Sequence, residues 1–384
     1  MSAAQLAGYC DDHLHLLACA AARRSSDVRA ATSVGGLLSL IRQGAREQAA
    51  AGGPGSWLRA WGYDDALLDE RRHPTVAELD AAAQDVPAVL HHITGHVALV
   101  NTAAGRALGL AGGELLIERQ DVLAGVPRSD RAETVSGVAA VLADLAEANI
   151  TICTDATHTN DLEALELLAD AAAAVPTVSI TAMVGAGRLA SLGDRGFGTA
   201  VQGAEAAKGG PGSVRIGHAK VMPPHDDDSA IAALVAEARA HGFPVAIHVM
   251  DIDTLDATLD ALEAHPLPGP AVESDRIEHC ALALPEQLDR IAQLGVKVVT
   301  QPSFVTRRAQ KYREQLSPTE QEWLWPLGSL LRRGICVTLS SDAPTVPPDP
   351  AEWIEAATGR DLAPAERIDA ETARRLCWRS GAGR

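Results

Sequence analysis

Residues 8–15 read GYCDDHLH, in which two histidines separated by one residue follow a short apolar run. Side chains two positions apart on a β-strand project to the same side, so His13 and His15 are predicted to face one point. Two convergent imidazoles are what a divalent metal ion requires. The same stretch bears on the fold, because an open doubly wound sheet usually carries a glycine-rich phosphate-binding turn at this place.

Similar β-branched or apolar runs recur along the chain and predict eight strands, at 8–15, 149–154, 177–184, 214–222, 244–250, 275–280, 296–301 and 335–341. Amphipathic stretches with apolar residues at three- and four-residue spacings lie between most of them, including 160–173, 228–241, 252–264 and 285–294. This alternation is typical of parallel βα units. It predicts an α/β fold, a closed (β/α)8 TIM barrel, with the open doubly wound sheet as the competing interpretation.

The span 45–135 is too long for one βα unit, since it holds two further strand-like runs, GGPGSWLRAWGYDD at 52–65 and PAVLHHITGHVALVN at 87–101. We expect residues 1–384 to form a single barrel, with 45–135 inserted into the first βα connection as a cap subdomain. Because the loops after the strands build the sites of this fold, the insertion is expected to shape the substrate pocket.

Composition excludes several classes of protein. Of 384 residues, 47% are hydrophobic and 22% are charged, which suits a large globular core. A net charge of -17 argues against a nucleic-acid partner. No apolar stretch approaches the roughly 20 residues that span a bilayer, and the start MSAAQLAGYC lacks the basic residues of a signal peptide. We therefore expect a cytoplasmic protein with no membrane partner.

Four further polar residues lie late in predicted strands: Lys220, His248, His279 and Asp342. An HxH pair alone is a weak indication of a metal site. In a barrel, however, the carboxyl ends of the strands form one ring, so these side chains are predicted to meet the two histidines there.

Lys220 is unusual because VRIGHAKVM, at 214–222, is otherwise a buried-strand pattern. Burial lowers the pKa of an amine, and a neutral amine can take up CO2 to form a carbamate that bridges two metal ions. The alternative is an inward-facing lysine paired with an acid. Lys297, which starts its strand, and His218, two residues before Lys220, are predicted to have structural roles.

Several motifs together resemble the amidohydrolase superfamily, in particular the amidohydrolase-3 group that includes N-substituted formamide deformylases. They are PGSWLRAWGYDD (54–65), ITGHVALVN (93–101), RIEHC (276–280), QPSF (301–304) and SSDAP (340–344). The similarity extends from about residue 8 to residue 375. Members of this group usually have a β-sandwich built from segments flanking the barrel. This chain is expected to lack it, and self-association as a homo-oligomer is expected to cover the exposed surface.

The resemblance implies a metal-dependent hydrolase with one or two divalent ions, Zn2+ first, with Mn2+ and Fe2+ as alternatives. The implied metal ligands are His13, His15, Lys220 as a carboxylated bridge, His248, His279 and Asp342. Asp342 is also the implied proton shuttle. The expected reaction is hydrolysis of an amide or N-formyl carbon–nitrogen bond of a small molecule by a metal-activated hydroxide.

The residues predicted to contact substrate are His96, Asp155, His158, Gln301, Trp61 and Tyr63. Each has an alternative that the sequence leaves open: a solvated loop histidine for His96, helix capping for Asp155, and core packing for the aromatics. Other reactions also stay open, namely lactone or ester hydrolysis, deamination and decarboxylation on the same site. An inactive, metal-free binding protein is the alternative of another class.

Overall fold

The computed structural model describes residues 8–51, 56–193, 195–202, 213–224, 227–267 and 273–379. The chain separates into two compact units. The first, called the barrel unit, consists of Met1–Leu16 and Val138–Arg384, and the other, called the second unit, is Leu17–Gly137.

The strands are β1 Gly8–Leu14, β2 Ser26–Asp27, β3 Leu58–Tyr63, β4 Ala88–His92, β5 Val97–Val100, β6 Glu114–Ile117, β7 Ile150–Asp155, β8 Ser179–Gly185, β9 Ala200–Gln202, β10 Ser213–Val221, β11 Val245–Val249, β12 Arg276–His279, β13 Lys297–Thr300, β14 Val337–Leu339 and β15 Trp378–Arg379.

The α-helices are α1 Leu16–Arg23, α2 Val34–Ala51, α3 Val76–Ala83, α4 Thr102–Ala107, α5 Gln120–Leu123, α6 Arg131–Glu147, α7 Leu162–Ala174, α8 Ala230–Ala240, α9 Ile252–Ala264, α10 Pro285–Leu294, α11 Ser303–Arg307, α12 Ala309–Gln315, α13 Pro318–Glu322, α14 Leu327–Arg332, α15 Pro350–Gly359 and α16 Ala370–Cys377. Short 3-10 turns occupy Asp65–Leu67, Ala186–Leu192 and Pro364–Glu366. No helix in the described ranges is both long enough and apolar enough to cross a membrane.

Eight parallel strands of the barrel unit follow one another in the order β1, β7, β8, β10, β11, β12, β13 and β14. They correspond to the eight runs that the sequence predicts. Two short strands are added antiparallel, β9 beside β10 and β15 beside β1.

The segment after β14 joins the first strand. Leu14 forms a parallel bridge with Ala343. The amide of Asp342 donates to the carbonyl of His13, and the amide of His15 donates to the carbonyl of Ala343, each at 2.8 Å. The residues that follow β14 therefore pair with β1. The unit has the TIM-barrel-like α/β fold that the alternating pattern predicts.

Apolar strand residues bury the sheet on its helix-covered side. Val214 and Ile216 of β10 and Val245 and Ile247 of β11 are fully buried. Residues buried on both faces of a parallel sheet give the near-continuous apolar runs by which these strands are recognised in the sequence.

Aspartates begin two of the barrel helices. Asp161 accepts a hydrogen bond from the amide of Ala164 at the start of α7, and Asp251 accepts one from Thr254 at the start of α9. Each satisfies an amide that has no partner within the helix. The cap of α7 is thus Asp161 and not Asp155.

The second unit contains a five-stranded sheet in the order β2, β3, β4, β5 and β6. The first three strands are parallel, and β5 and β6 are antiparallel to their neighbours. This unit begins at Leu17 and includes Ser26–Asp27, which pairs with Leu58–Tyr63. The cap subdomain at 45–135, inserted into a single barrel, stays a prediction.

Candidate metal centre

Three side chains able to bind a metal ion meet where β1 ends. The Nε2 atom of His15 lies 3.1 Å from Oδ1 of Asp342, and Nε2 of His13 lies 3.6 Å from the same oxygen. One ligand atom from each of the three residues falls within 4.8 Å of the others. The structure therefore brings the HxH pair and the aspartate of SSDAP together at the carboxyl ends of the barrel strands.

The backbone at this end of the barrel is strained at two candidate ligands. Asp342 has a φ of 63° and His279 a φ of 70°. Residues other than glycine adopt this left-handed conformation at a cost of about 1–3 kcal/mol, and such residues cluster at functional sites. A hydrogen bond from the Asp342 amide to the His13 carbonyl holds the aspartate in place.

Lys220 is buried near this cluster, with 2% of its surface exposed, and it interacts electrostatically with Asp342 and His13. Its Nζ atom has no hydrogen-bond partner among the residues that the structure describes, so the alternative of a lysine paired with an acid is not what is seen. Burial lowers the pKa of the amine to about 8, although the charges of Glu278 and Asp342 act in the opposite direction. A buried polar atom without a partner is costly and indicates a missing ligand or modification.

His279 lies between two other candidate ligands. Its ring centroid is 4.6 Å from that of His248 and 4.8 Å from that of His13. Its Nδ1 atom is 2.7 Å from Oε1 of Gln301 and donates to it, because an amide oxygen only accepts. Nε2 is thereby left with its lone pair for a metal ion.

Gln301 uses both ends of its amide within the protein. Besides accepting from His279, it donates through Nε2 to Oγ of Ser340 at 2.9 Å. The side chain is fully buried. It orients His279, and its contact with substrate stays a prediction.

Burial keeps the imidazoles of His13 and His279 neutral. It lowers the pKa of His13 to about 3 and that of His279 to about 4. A metal ligand must be the neutral imidazole, so these rings need not lose a proton before they bind a divalent ion at neutral pH.

Glu278 is a residue of this site that the sequence reasoning missed. It is fully buried, and it accepts a short hydrogen bond from Nδ1 of His13. The guanidinium of Arg276 donates to it at 2.7 and 3.1 Å. Burial alone would raise the pKa of this carboxyl, but Arg276 and His13 hold it well below its usual range.

The signal for Glu278 was present in RIEHC. Arg276 and Glu278 have opposite charges and lie two positions apart on a buried strand. A buried charge is tolerated only when it is paired, so the two were to be expected as partners. The ionised carboxylate turns the Nδ1 proton of His13 toward itself, which leaves Nε2 facing Asp342.

His15 is held in a similar way by the loop that follows β7. Its Nδ1 atom lies 3.0 Å from Oγ1 of Thr157. Asp155 in turn accepts from the Thr157 amide at 3.1 Å, from Asn160 at 2.7 Å, and from the Leu16 amide at 2.7 Å. Asp155 thus fixes the loop, and its contact with substrate stays a prediction.

His158 lies half-buried in the same loop. Its predicted contact with substrate is not tested by the hydrogen bonds described above.

The other predicted substrate contacts belong to the second unit. Tyr63 is almost fully buried, and its hydroxyl lies 3.0 Å from Nδ1 of His73, as expected of a core aromatic. Trp61 is half-buried, and Nδ1 of His96 lies 2.7 Å from Oε1 of Glu118. Their roles toward a substrate stay predictions.

The two residues that the sequence assigns to structural roles have them. Nζ of Lys297 lies 2.9 Å from Oδ2 of Asp12. Nε2 of His218 donates to the carbonyl of Ser274 at 3.0 Å.

Comparisons with known proteins agree with this geometry. The model of the amidohydrolase family matches residues 4–383. An N-substituted formamide deformylase of Arthrobacter pascens is 26% identical over 426 aligned positions, which cover 96% of this chain and 77% of that protein.

Two solved structures described as uncharacterized metal-dependent hydrolases share the fold. The one from Pyrococcus horikoshii OT3 has a TM-score of 0.72 at 21% identity and covers 97% of this chain and 79% of its own. The one from Pyrococcus furiosus has a TM-score of 0.70 at 21% identity, with 97% and 80% covered. From the match over nearly its whole length, and from the histidines and aspartate gathered at the strand ends, this chain belongs to the amidohydrolase family and is a metal-dependent hydrolase.

Proposed function

We propose that this protein hydrolyses an amide or N-formyl carbon–nitrogen bond of a small molecule. The single observation that supports this most strongly is the convergence of His13, His15 and Asp342 near a buried lysine whose amine has no partner among the described residues. The formamide deformylase of Arthrobacter pascens, 26% identical, is named for a reaction of this type.

The donor set suits a divalent metal ion. Imidazole nitrogens and a carboxylate are ligands that Zn2+ prefers, and Mn2+ or Fe2+ accept the same set. His13, His15 and Asp342 would hold one ion, and His248 and His279 supply the donors for a second. Glu278 and Gln301 support this assignment, because each fixes Nδ1 of a candidate ligand and leaves Nε2 available.

We further propose that Lys220 carries a carbamate. Its neutral amine would attack the carbon of CO2, forming an N–C bond, and the amine proton would leave to solvent. The product is an anion with two oxygens where the structure has an unpartnered nitrogen. Modified in this way, Lys220 would be a further ligand for the divalent ions, whose positive charge would offset the cost of burying the anion.

Bound at these residues, a divalent ion would polarise the substrate carbonyl and lower the pKa of a water molecule to about 7. The chain's own part is proton transfer and orientation. Asp342 lies 3.1 Å from Nε2 of His15, at the mouth of the cluster, and its carboxylate would accept the proton of the attacking water. It would then give that proton to the departing nitrogen as the carbon–nitrogen bond breaks, releasing a carboxylic acid and an amine.

The test is a substrate panel with a matched pair of variants. The purified chain is stripped with a chelator, reloaded separately with Zn2+, Mn2+ or Fe2+, and assayed on N-formyl amines, N-acyl amines, lactones, esters and aminated heterocycles. Asp342→Asn should lower turnover by about 10²–10⁴-fold, the usual contribution of a positioned acid–base group. Asp361→Asn, at an exposed position, is the control for loss of a carboxylate.

Three outcomes would contradict the proposal. One is turnover confined to lactones, esters or aminated heterocycles. Another is turnover that is unchanged by Asp342→Asn in a protein of unchanged secondary structure. The last is a folded chain that retains no divalent ion, which is the behaviour expected of an inactive binding protein.

A further inference from the structure

A second group of candidate metal ligands lies in the second unit. Asp64 and Asp65 directly follow β3, and His92 is the last residue of β4. These strands are parallel neighbours, with Tyr63 opposite His92, so their carboxyl ends coincide. Nε2 of His92 lies 3.1 Å from Oδ1 of Asp65 and 3.6 Å from Oδ1 of Asp64.

The imidazole of His92 is unusual because it is buried without a partner for one nitrogen. Only 4% of the side chain is exposed. Nε2 makes no hydrogen bond to any atom in the part of the chain that the structure describes. Asp65 is close enough for one, but the two groups are not aligned as a donor and an acceptor. Buried polar atoms are normally hydrogen-bonded, so this nitrogen indicates a missing ligand.

The other ring nitrogen is engaged. Nδ1 of His92 accepts a hydrogen bond from the amide of Thr94 at 3.2 Å and lies 2.8 Å from the hydroxyl oxygen of Thr94. A hydroxyl oxygen accepts as well as donates. When a metal ion takes the lone pair of Nε2, the ring proton would move to Nδ1. Nδ1 would then donate to the Thr94 hydroxyl instead of accepting from the amide, the arrangement that fixes metal-binding histidines.

The carboxylate of Asp64 is held by the backbone. Asp64 is buried, and its Oδ1 accepts from the amide of Ala66 at 3.0 Å, which leaves lone pairs on the carboxylate. Oδ1 of Asp65 lies 3.9 Å from Nδ1 of His73 as well as 3.1 Å from Nε2 of His92. Two neighbouring carboxylates repel each other unless a positive charge lies between them.

From these contacts we propose that Asp64, Asp65 and His92 bind a divalent first-row transition-metal ion such as Mn2+ or Zn2+. One imidazole nitrogen and two carboxylate oxygens lie within 4.8 Å of one another, a mixed donor set that these ions accept. Asp65 is partly exposed, which leaves coordination positions for water.

This site uses none of the residues of the barrel cluster. It would hold β3 and β4 together at their carboxyl ends, because its ligands come from both strands. Metal binding should therefore stabilise the folded chain as well as add to its metal content.

The test measures bound Mn2+ by electron paramagnetic resonance, with the full chain stripped by a chelator and titrated with Mn2+ alone to saturation. All chains carry Asp342→Asn, so that the two clusters are separated. We expect Asp65→Asn to bind about one ion fewer per chain than the parent. Asp69→Asn, an exposed carboxylate four residues along, should bind as the parent does.

A second variant guards against a folding defect. His92→Gln keeps a polar side chain of similar reach, and its fold is checked by circular dichroism before the titration. We expect Mn2+ to raise the thermal midpoint of the parent more than that of either variant. Equal Mn2+ content and equal thermal shifts in the parent, Asp65→Asn and His92→Gln would overturn the proposal.

Discussion

Glu278 accepts a hydrogen bond from Nδ1 of His13, although the two residues are 265 positions apart in the sequence. Both are fully buried inside the barrel unit. Arg276, two residues before Glu278 on the same strand, donates a hydrogen bond to the same carboxylate. A carboxylate that accepts from Nδ1 makes the imidazole a stronger metal ligand and fixes its tautomer. Glu278 is therefore expected to strengthen metal binding by His13.

Replacing Glu278 by glutamine should weaken metal binding at the barrel cluster by about 10–100-fold. The amide keeps the shape of the side chain but removes the negative charge that holds the Nδ1 proton of His13. The dissociation constant for Zn2+ is measured by competition with a chromophoric chelator. Glu273→Gln, a half-exposed carboxylate three residues before Arg276, is the control. An unchanged constant for Glu278→Gln would show that His13 is oriented without this charge.

Lys220 should carry a carbamate when metal is bound. In the presence of carbon-13-labelled bicarbonate, the wild-type chain should show a carbamate carbonyl resonance that Lys220→Met lacks. Lys311→Met, a lysine near the surface, should retain the resonance. The methionine variant should also hold fewer ions, because this ligand is missing. A spectrum without that resonance in the metal-loaded wild type would contradict this prediction.

Asp12 should be a strong contributor to stability, because it is buried among cations. Its carboxylate lies 2.9 Å from Nζ of Lys297 and 3.1 Å from Nη2 of Arg379. Asp12→Ala should lower the free energy of unfolding by about 3 kcal/mol, the low end for breaking a buried pair, since Arg379 is half-exposed.

Urea unfolding at neutral pH measures the effect of Asp12→Ala. Asp27→Ala, which breaks an exposed pair with Arg29, should cost less than about 1 kcal/mol. Equal losses for the two variants would show that burial adds nothing to the Asp12 interaction.

His218 should make the chain sensitive to acid. Burial, with the charge of Arg276 nearby, lowers the pKa of this imidazole to about 4 from its usual 6.5. A group whose pKa is lowered on folding binds its proton more readily in the unfolded chain. Stability is therefore lost as the pH falls from about 6.5 toward 4, by up to about 1.4 kcal/mol per pH unit.

The variant His218→Gln isolates this contribution. Its amide keeps an N–H donor for the carbonyl of Ser274 but does not titrate. The difference in urea midpoint between wild type and variant should grow in favour of the variant between pH 7 and pH 5, with the metal removed from both. A difference that stays constant over this range would contradict the prediction.

Much of the fold could be predicted because the buried strands of a parallel sheet have their own local signature. Apolar runs such as 214–222 and 244–250 correspond to Ser213–Val221 and Val245–Val249. The start of the second unit was harder to place. Ser26–Asp27 is only two residues long, and it is a strand solely because it pairs with Leu58–Tyr63.

The candidate site shows the same division. The proximity of His13, His15 and Asp342 could be predicted from the sequence, because the carboxyl ends of the strands of one barrel lie at one face. The hydrogen bonds of Gln301 to His279 and Ser340 were not predicted, and its contact with substrate stays a prediction. Which of two polar residues a side chain reaches depends on rotamer and register, and these are not encoded in the spacing along the chain.

By itself, then, the sequence determined the alternating elements and the polar residues at their ends, because strand periodicity and burial act locally. Only the tertiary structure decided which distant groups became partners: Glu278 with His13, Asp12 with Lys297, and Gln301 with His279. Those pairings depend on how strands far apart in sequence are aligned side by side. Hydrogen bonds and ion pairs act over a few ångströms, so that alignment determines them.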